Sequence, residues 1–297
     1  MSAAVRFGWV LNLDAELELA RPHQRPTARL AAQLAHHRAL AMGLLGPDDV
    51  LFSETGMPLV PSDPGRAAST GLVGRAFCPT PRALRALRAA GVSPEPHPPV
   101  EVLRAVNHRA FAHGLGRGLH GQRLIRSLPE AHDLVADGGA YLLKRPLSFA
   151  GRGQCRLLGT VDEMARRWLV ASLRDDLLLA EPLVRPLVEF SRHGFLTAAG
   201  DLRLGRPCVQ EVSARGAFVS VRPAEASDLS PSEADALAEA ANAVGAALAE
   251  AGYFGPFGVD AYRYAAAHGE GFCALSEVNA RYTMSFATGF PERPPPL

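Results

Sequence analysis

Residues 257–285 read FGVDAYRY, a short AAAHGEG connector, then FCALSEVNARYTMS. Two alternating apolar runs around a glycine-bearing connector are the signature of a β-hairpin. Side chains two apart on a strand share a face, so Glu277 and Asn279 point the same way. A hairpin that turns near His268 and Gly269 sets Asp260 across from Glu277. Two carboxylates held 4 Å apart repel by about 4 kcal/mol at an effective dielectric near 20. A cation between them removes the conflict, and an Asp, a Glu and an Asn supply the hard oxygen donors that suit Mg²⁺ holding phosphates. A hairpin with both charges turned to solvent fits the same spacing, so the hairpin alone leaves the two readings open.

The chain has 297 residues and 47% apolar content, enough for a substantial core in one to three lobes. A net charge of +1 supplies no basic field for nucleic acid. Lysine is scarce beside arginine, which makes Lys144 inside an apolar run worth noticing. Cys78, Cys155, Cys208 and Cys273 are scattered without a CxxC spacing, which argues against zinc and for a reducing, cytoplasmic setting. The start lacks the basic-then-apolar pattern of a secretory signal. No apolar stretch nears the roughly 20 residues that cross a bilayer.

Strand and helix signals alternate through the first hundred residues. VRFGWVLNL, 50–53 and GLVGRAF read as strands, and 27–45 and PTPRALRALRAAGV as helices. Thr80 could cap the second helix, with Pro81 in its first turn and Gly91 at its end. This is a small α/β lobe, and the proline-dense segment 93–102 marks its boundary. A helix from Val106 carries Asn107, His108 and Arg109. Then follow a strand at 140–144, a polar loop at 145–153 and a return strand QCRLLG. Thr160 to Glu163 and Ser230 to Glu233 both spell capping boxes, the second with Pro231 at the first helical position. DLLLAEPLV reads as a strand, 188–205 as strand, turn, strand, and the tail after Phe290 as poorly ordered.

Several segments carry chemistry beside a plainer reading. Lys144 precedes a loop with Ser148, Gly151, Arg152 and Gly153, whose backbone N–H groups can approach phosphate oxygens; an ordinary hairpin with a snorkelling lysine reads the same. G-x-x-x-x-G-K-[ST] is absent. Gly116, Gly118 and Gly121 match G-x-G-x-x-G but follow a helical segment, the wrong context for a dinucleotide fingerprint. His108, His113 and His120 do not share a helix face, and no G-x-S-x-G elbow occurs. Glu181 and Glu189 flank Pro182, Leu183 and Val184, a strand running into a linker. Such backbone can meet an adenine edge, and two surface glutamates in salt bridges would look alike.

The order of these pieces resembles the ATP-grasp superfamily, which includes carboxylate–amine ligases such as D-alanine–D-alanine ligase and glutathione synthetase. The resemblance covers roughly Asn107 to Ser285 and is most specific in FGVDAYRY and ALSEVNARYTMS. It implies an α/β (α+β) fold: a Rossmann-like pre-grasp lobe at 1–98, a small lobe with the phosphate loop at 99–180, and a C-terminal lobe with the metal site at 181–297. By this resemblance Lys144 binds the α- and β-phosphates, and Ser148 to Gly153 close over the triphosphate, with Gly151 and Arg152 among them. Glu181 begins the hinge. The Pro182 carbonyl and the Val184 N–H meet adenine on either side of Leu183, and Glu189 binds ribose. Asp260, Glu277 and Asn279 hold Mg²⁺, and Arg281 steadies the transferred phosphoryl group. Two positions depart from the family pattern: Arg109 stands where many members have a phosphate-binding lysine and would bind phosphate in its place, and Gly258 stands where many ligases have a basic residue.

The function so implied is an ATP- and Mg²⁺-dependent ligase joining a small-molecule carboxylate to an amine, an amino acid or peptide, through an acyl phosphate. No nucleic acid or membrane partner is expected, and a homodimer is compatible with the sequence. A phosphotransferase on the same scaffold and a non-catalytic nucleotide-binding module are the competing readings. Arg75, Arg215 and Arg281 are candidates to clamp a substrate carboxylate.

Overall fold

The computed structural model describes residues 5–24, 27–59, 71–148, 153–212, 218–292, 294 and 296–297. Gly151, Arg152 and Arg215 lie outside them. Near the N-terminus, β1 (Arg6–Val10), β2 (Val50–Phe52), β3 (Leu72–Ala76) and β4 (Ser93–Pro94) form a parallel sheet in the order β2-β1-β3-β4. Parallel strands are covered on both faces and so read as unbroken apolar runs, as FGWV and VLF do. The helices are α1 (Ala15–Ala20), α2 (Ala28–Ala41) and α3 (Pro81–Ala89). Gly74 lets β3 and β4 approach, because a Cβ there would stand 2.8 Å from the Ser93 carbonyl. Thr80 occupies the N-cap position of α3 without capping it through its side chain. Its hydroxyl donates instead to Glu18 Oε2 at 2.6 Å.

The middle of the chain builds an antiparallel sheet. Two short helices, α4 (Val100–Asn107) and α5 (Arg109–Gly114), lead into β5 (Arg123–Ile125), α6 (Leu128–Val135), β6 (Ala140–Lys144), β7 (Gln154–Leu158), α7 (Glu163–Leu173) and β8 (Leu178–Pro182), with strand order β5-β8-β6-β7. The helix read through Asn107–Arg109 is broken at His108, whose backbone is extended and whose Nδ1 accepts from the Ala110 N–H at the start of α5. The cap of α7 is Asp162, accepting from Ala165 N at 2.7 Å, and not Thr160. The glycine triplet lies between α5 and β5, outside any strand-to-helix turn.

After a two-residue connection, Leu183 and Val184, the chain builds a second antiparallel sheet. It comprises β9 (Arg185–Leu196), β10 (Leu202–Val212), β11 (Phe218–Pro223), β12 (Gly255–Ala266) and β13 (Gly269–Asn279), in the order β11-β10-β9-β12-β13. Helix α8 (Pro231–Glu250) carries the full reciprocal capping box of Ser230 and Glu233. Its Leu237, Val244 and Leu248 pack against Phe190, Val259, Ala261 and Val278 on one face of the sheet. The alternate residues of those strands point to the opposite face. The chain closes with α9 (Phe286–Gly289). The described tail packs back on the N-terminal lobe: Pro294 offers its carbonyl to Arg75 Nη1, and Phe290 stacks on Phe286. Among the described residues no helix is long and apolar enough to cross a membrane.

Candidate active site

The face of the β9–β13 sheet opposite α8 carries the acids. Asp260 pairs directly with Glu277, and Gly258 with Asn279. Asp260 Oδ2 accepts from Asn279 Nδ2 at 2.8 Å and Oδ1 from Gln210 Nε2 at 3.0 Å. Burial, and then the charge of Glu277, push the Asp260 carboxyl up to about 7. A carboxylate pushed this far is one that gains from a cation. Among the described residues no three His, Cys, Asp or Glu side chains gather as a metal cage. Two carboxylates and an amide oxygen are nonetheless a set that fits Mg²⁺, which takes few protein ligands when phosphates supply the rest.

Arg109 links these acids to the segment that follows β6. Its Nη1 lies 2.9 Å from Glu277 Oε1, its Nη2 donates to Ser148 Oγ at 3.2 Å, and its Nε donates to the Arg145 carbonyl at 3.1 Å. Gly153 has φ +71°, and a Cβ there would press Ser148 at 3.1 Å. The loop therefore needs glycine at this position. At the end of β6, Lys144 Nζ lies 2.7 Å from Glu181 Oε2 on β8. Both groups are buried, at 8% and 3% exposure. Across the connection, Glu189 is pushed up by its own burial against the pull of Lys144. Leu183 donates its N–H to the Ala140 carbonyl, tying the connection to β6. Pro182 pairs with Tyr141 at the end of β8, and Val184 leads into β9.

Arg281 is drawn toward both ends of the chain. Its Nη2 donates to Asn279 Oδ1 at 2.9 Å, its Nη1 to the Tyr282 carbonyl at 2.9 Å, and its Nε to Glu16 Oε1 at 2.6 Å. Arg75, by contrast, is enclosed by Glu95 and the Phe7 ring and faces no site. Three contributors went unread in the sequence. Gln210 bonds Asp260, Glu16 bonds Arg281, and Asn107 grips Ala280 from both sides, donating to its carbonyl and accepting from its N–H. Alternation along β10 sets Gln210 between Cys208 and Val212, so no polar pattern marks it and nothing local identifies its partner.

Gly258 has a physical reason. A Cβ there would stand 3.0 Å from Thr283 and 3.4 Å from His193, so no basic side chain starts from this position without displacing that cluster. His193 is fully buried, and its Nε2 lies 3.0 Å from both Thr283 Oγ1 and Ser285 Oγ. Burial drives its pKa down to about 3. A lowered histidine pKa leaves stability intact above the unfolded value near 6.5 and removes it as pH falls toward 3. Relative to pH 7, His193 should cost about 2 kcal/mol at pH 5. His193→Gln should flatten that part of the acid-unfolding curve, read as the difference in melting temperature between variant and wild type from pH 7 to 4. An unchanged difference over this range would show that folding does not lower the His193 pKa.

No protein-family profile and no curated protein matches the sequence. Similarity appears in three dimensions. The chain resembles D-alanyl-alanine synthetase A of Vibrio cholerae with a TM-score of 0.55 at 15% identity, over 97% of this chain and 93% of that one. It resembles a D-cycloserine synthetase with a TM-score of 0.52 at 11% identity, over 96% and 94%. A carboxyaminoimidazole ribonucleotide synthase of Aspergillus clavatus, solved with ATP, gives 0.51 at 16% identity, over 94% of this chain and 71% of that one.

Proposed function

We propose that this chain, whose fold is that of the ATP-grasp superfamily, is an ATP- and Mg²⁺-dependent ligase that joins a carboxylate to an amine. The observation that carries the reading is the opposition of Asp260 and Glu277 beside Asn279, with Arg109 reaching from Glu277 to Ser148 of the phosphate loop. The names of its structural neighbours, synthetases of small molecules with one holding ATP, support it.

ATP would lie between the β6–β8 side and the acid-bearing face of β9–β13. Lys144 would hold the α- and β-phosphates, Glu181 to Val184 the adenine edge, and Glu189 the ribose. Asp260, Glu277 and Asn279 would hold Mg²⁺, which when bound neutralises phosphate charge. A substrate carboxylate oxygen attacks the γ-phosphorus and ADP leaves, giving an acyl phosphate. The amine nitrogen then attacks the acyl carbon, inorganic phosphate leaves, and the nitrogen gives up a proton. The chemistry asks for charge stabilisation rather than covalent help, and Lys144, Arg152 and Arg281 are the cations that would give it.

Melting the protein with and without Mg-ATP tests the first half. A ligand at 100 times its dissociation constant adds about 2.7 kcal/mol, or roughly 5–10 °C for a chain of this size. No shift at millimolar Mg-ATP would sink the nucleotide site. Phosphate release with pooled carboxylates and amines tests the second half. A ligase yields ADP, free phosphate and an amide, while a kinase on this scaffold releases no free phosphate.

A further inference from the structure

The Arg281 guanidinium has five N–H donors, and the protein engages four. Nε and one Nη2 hydrogen go to Glu16 Oε1, the other Nη2 hydrogen to Asn279 Oδ1, and one Nη1 hydrogen to the Tyr282 carbonyl. A single Nη1 N–H is left without a partner among the described residues. The plane of the group is therefore fixed from two sides. Asn279, which also bonds Asp260, holds it from the C-terminal sheet. Glu16, at the start of α1 and 265 residues away in sequence, holds it from the N-terminal lobe. Glu16 is only 5% exposed, and its second oxygen, Oε2, is buried without a partner among the described residues. A buried carboxylate oxygen left unpaired is costly. Folding tolerates it here together with the placement of Arg281.

We propose that Glu16 is the positioning residue for Arg281. Through its Oε1 the N-terminal lobe aims the one free N–H of that guanidinium at the terminal phosphate. The inference rests on the nucleotide site proposed above. An arginine held by Asn279 and a carbonyl alone could pivot about its side-chain torsions. Two donors converging on one buried acceptor remove that freedom. The frame around them is stiff as well, because α1 packs on α4 and Asn107 of α4 grips Ala280, the residue before Arg281. The aim matters for the γ-phosphate and not for the rest of the nucleotide, which Lys144, the 181–184 segment and Glu189 would hold from the other side.

The test needs no knowledge of the substrates. Full-length wild type is titrated in Mg²⁺ with ADP and with the non-hydrolysable β,γ-imido analogue of ATP, and the ratio of the two affinities is the readout. One charge-assisted hydrogen bond predicts a preference for the analogue of about tenfold. Arg281→Ala and Glu16→Ala should each bring the ratio to within about twofold of unity and leave ADP affinity nearly unchanged. Their combination should lose no more than Arg281→Ala alone, because Glu16 acts through the arginine. Glu16→Asp keeps the charge but withdraws the carboxylate by one methylene, and it should also lower the ratio; it serves if the alanine variant fails to fold. A wild-type ratio in Glu16→Asp or Glu16→Ala overturns the inference. So does equal weakening of ADP and analogue, which would mark a structural role only, or a wild type that binds both equally. A wild type that binds neither nucleotide overturns the site itself, an outcome distinct from these.

Discussion

Asp260→Asn should melt at a higher temperature than wild type in a metal chelator and should lose its Mg²⁺-dependent ATP binding. Asp260 faces Glu277 and is raised to about 7 by burial and by that neighbour. A raised carboxyl pKa contributes stability below the unfolded value near 4, and that stability is lost as pH climbs through 7. The neutral amide escapes the loss, so the variant-minus-wild-type difference should rise by about 3–4 kcal/mol between pH 4 and pH 8. The substituted amide would keep one hydrogen bond at no cost, its oxygen accepting from Asn279 Nδ2. Gln210 must then turn its amide to offer oxygen, which it can do, whereas Asn279 Oδ1 is fixed by Arg281. The lowered pKa of His193 acts across the same range with the opposite sign, so only difference curves separate the two. With Mg-ATP present the order should reverse: wild type gains the ligand's stabilisation and the variant does not. Affinity for Mg-ATP should fall by about a hundredfold or more, because removing even a group that only orients a metal's ligands costs about 10–100-fold in metal affinity. A variant no more stable than wild type at pH 8 would show that the two acids do not repel. One that binds Mg-ATP normally would take Asp260 out of the site.

What the sequence made legible is what depends on near neighbours. The hairpin itself is legible, but its strands meet at Ala266 and Gly269, a register that alone would set Asp260 against Leu275; an irregularity between Asp260 and Tyr262 shifts the pairing onto Glu277. The capping box of α8 is legible because both of its reciprocal bonds span three residues. Near α7 two caps compete within three positions, and the charged Asp162 wins over Thr160. At His108 the helix breaks without proline or glycine, and the imidazole serving as cap leaves no mark in a propensity pattern. The contacts that complete the site are another matter. Glu16 to Arg281, Asn107 to Ala280 and Gln210 to Asp260 join residues 265, 173 and 50 positions apart. Each side chain alone reads as an ordinary polar residue; packing between lobes partners Glu16 and Asn107, and the β10-β9-β12 strand order partners Gln210. The tail after Phe290 misleads for the same reason. Its composition suggests a loose end, and its anchors, Arg75 and the Phe286 ring, lie outside the segment.

Lys144 is the only lysine in a chain with 31 basic residues, and the structure makes its removal costly in two ways. By sequence alone Lys144→Ala is a change at a strand end that folding should ignore. The ion pair at 2.7 Å says otherwise, because Glu181, 3% exposed, would be left as a buried carboxylate without its partner. Breaking one side of such a pair costs about 3–5 kcal/mol, a fall of roughly 10 °C in melting temperature for a chain of this size. Glu181→Gln in the same background removes the stranded charge, so Lys144→Ala/Glu181→Gln should recover at least about half of the loss. Stability and nucleotide binding then come apart. The double variant should fold and still show no melting shift with Mg-ATP, because no ammonium remains for the phosphates. Lys144→Arg separates charge from shape. A planar guanidinium is bulkier than an ammonium and bonds in a fixed fork, and the site encloses Lys144 almost completely. Arginine should therefore restore part of the stability and bind Mg-ATP about tenfold more weakly. A single alanine variant that melts with wild type would show that the buried pair contributes nothing. A double variant that regains the Mg-ATP shift would place the phosphates elsewhere in the cleft.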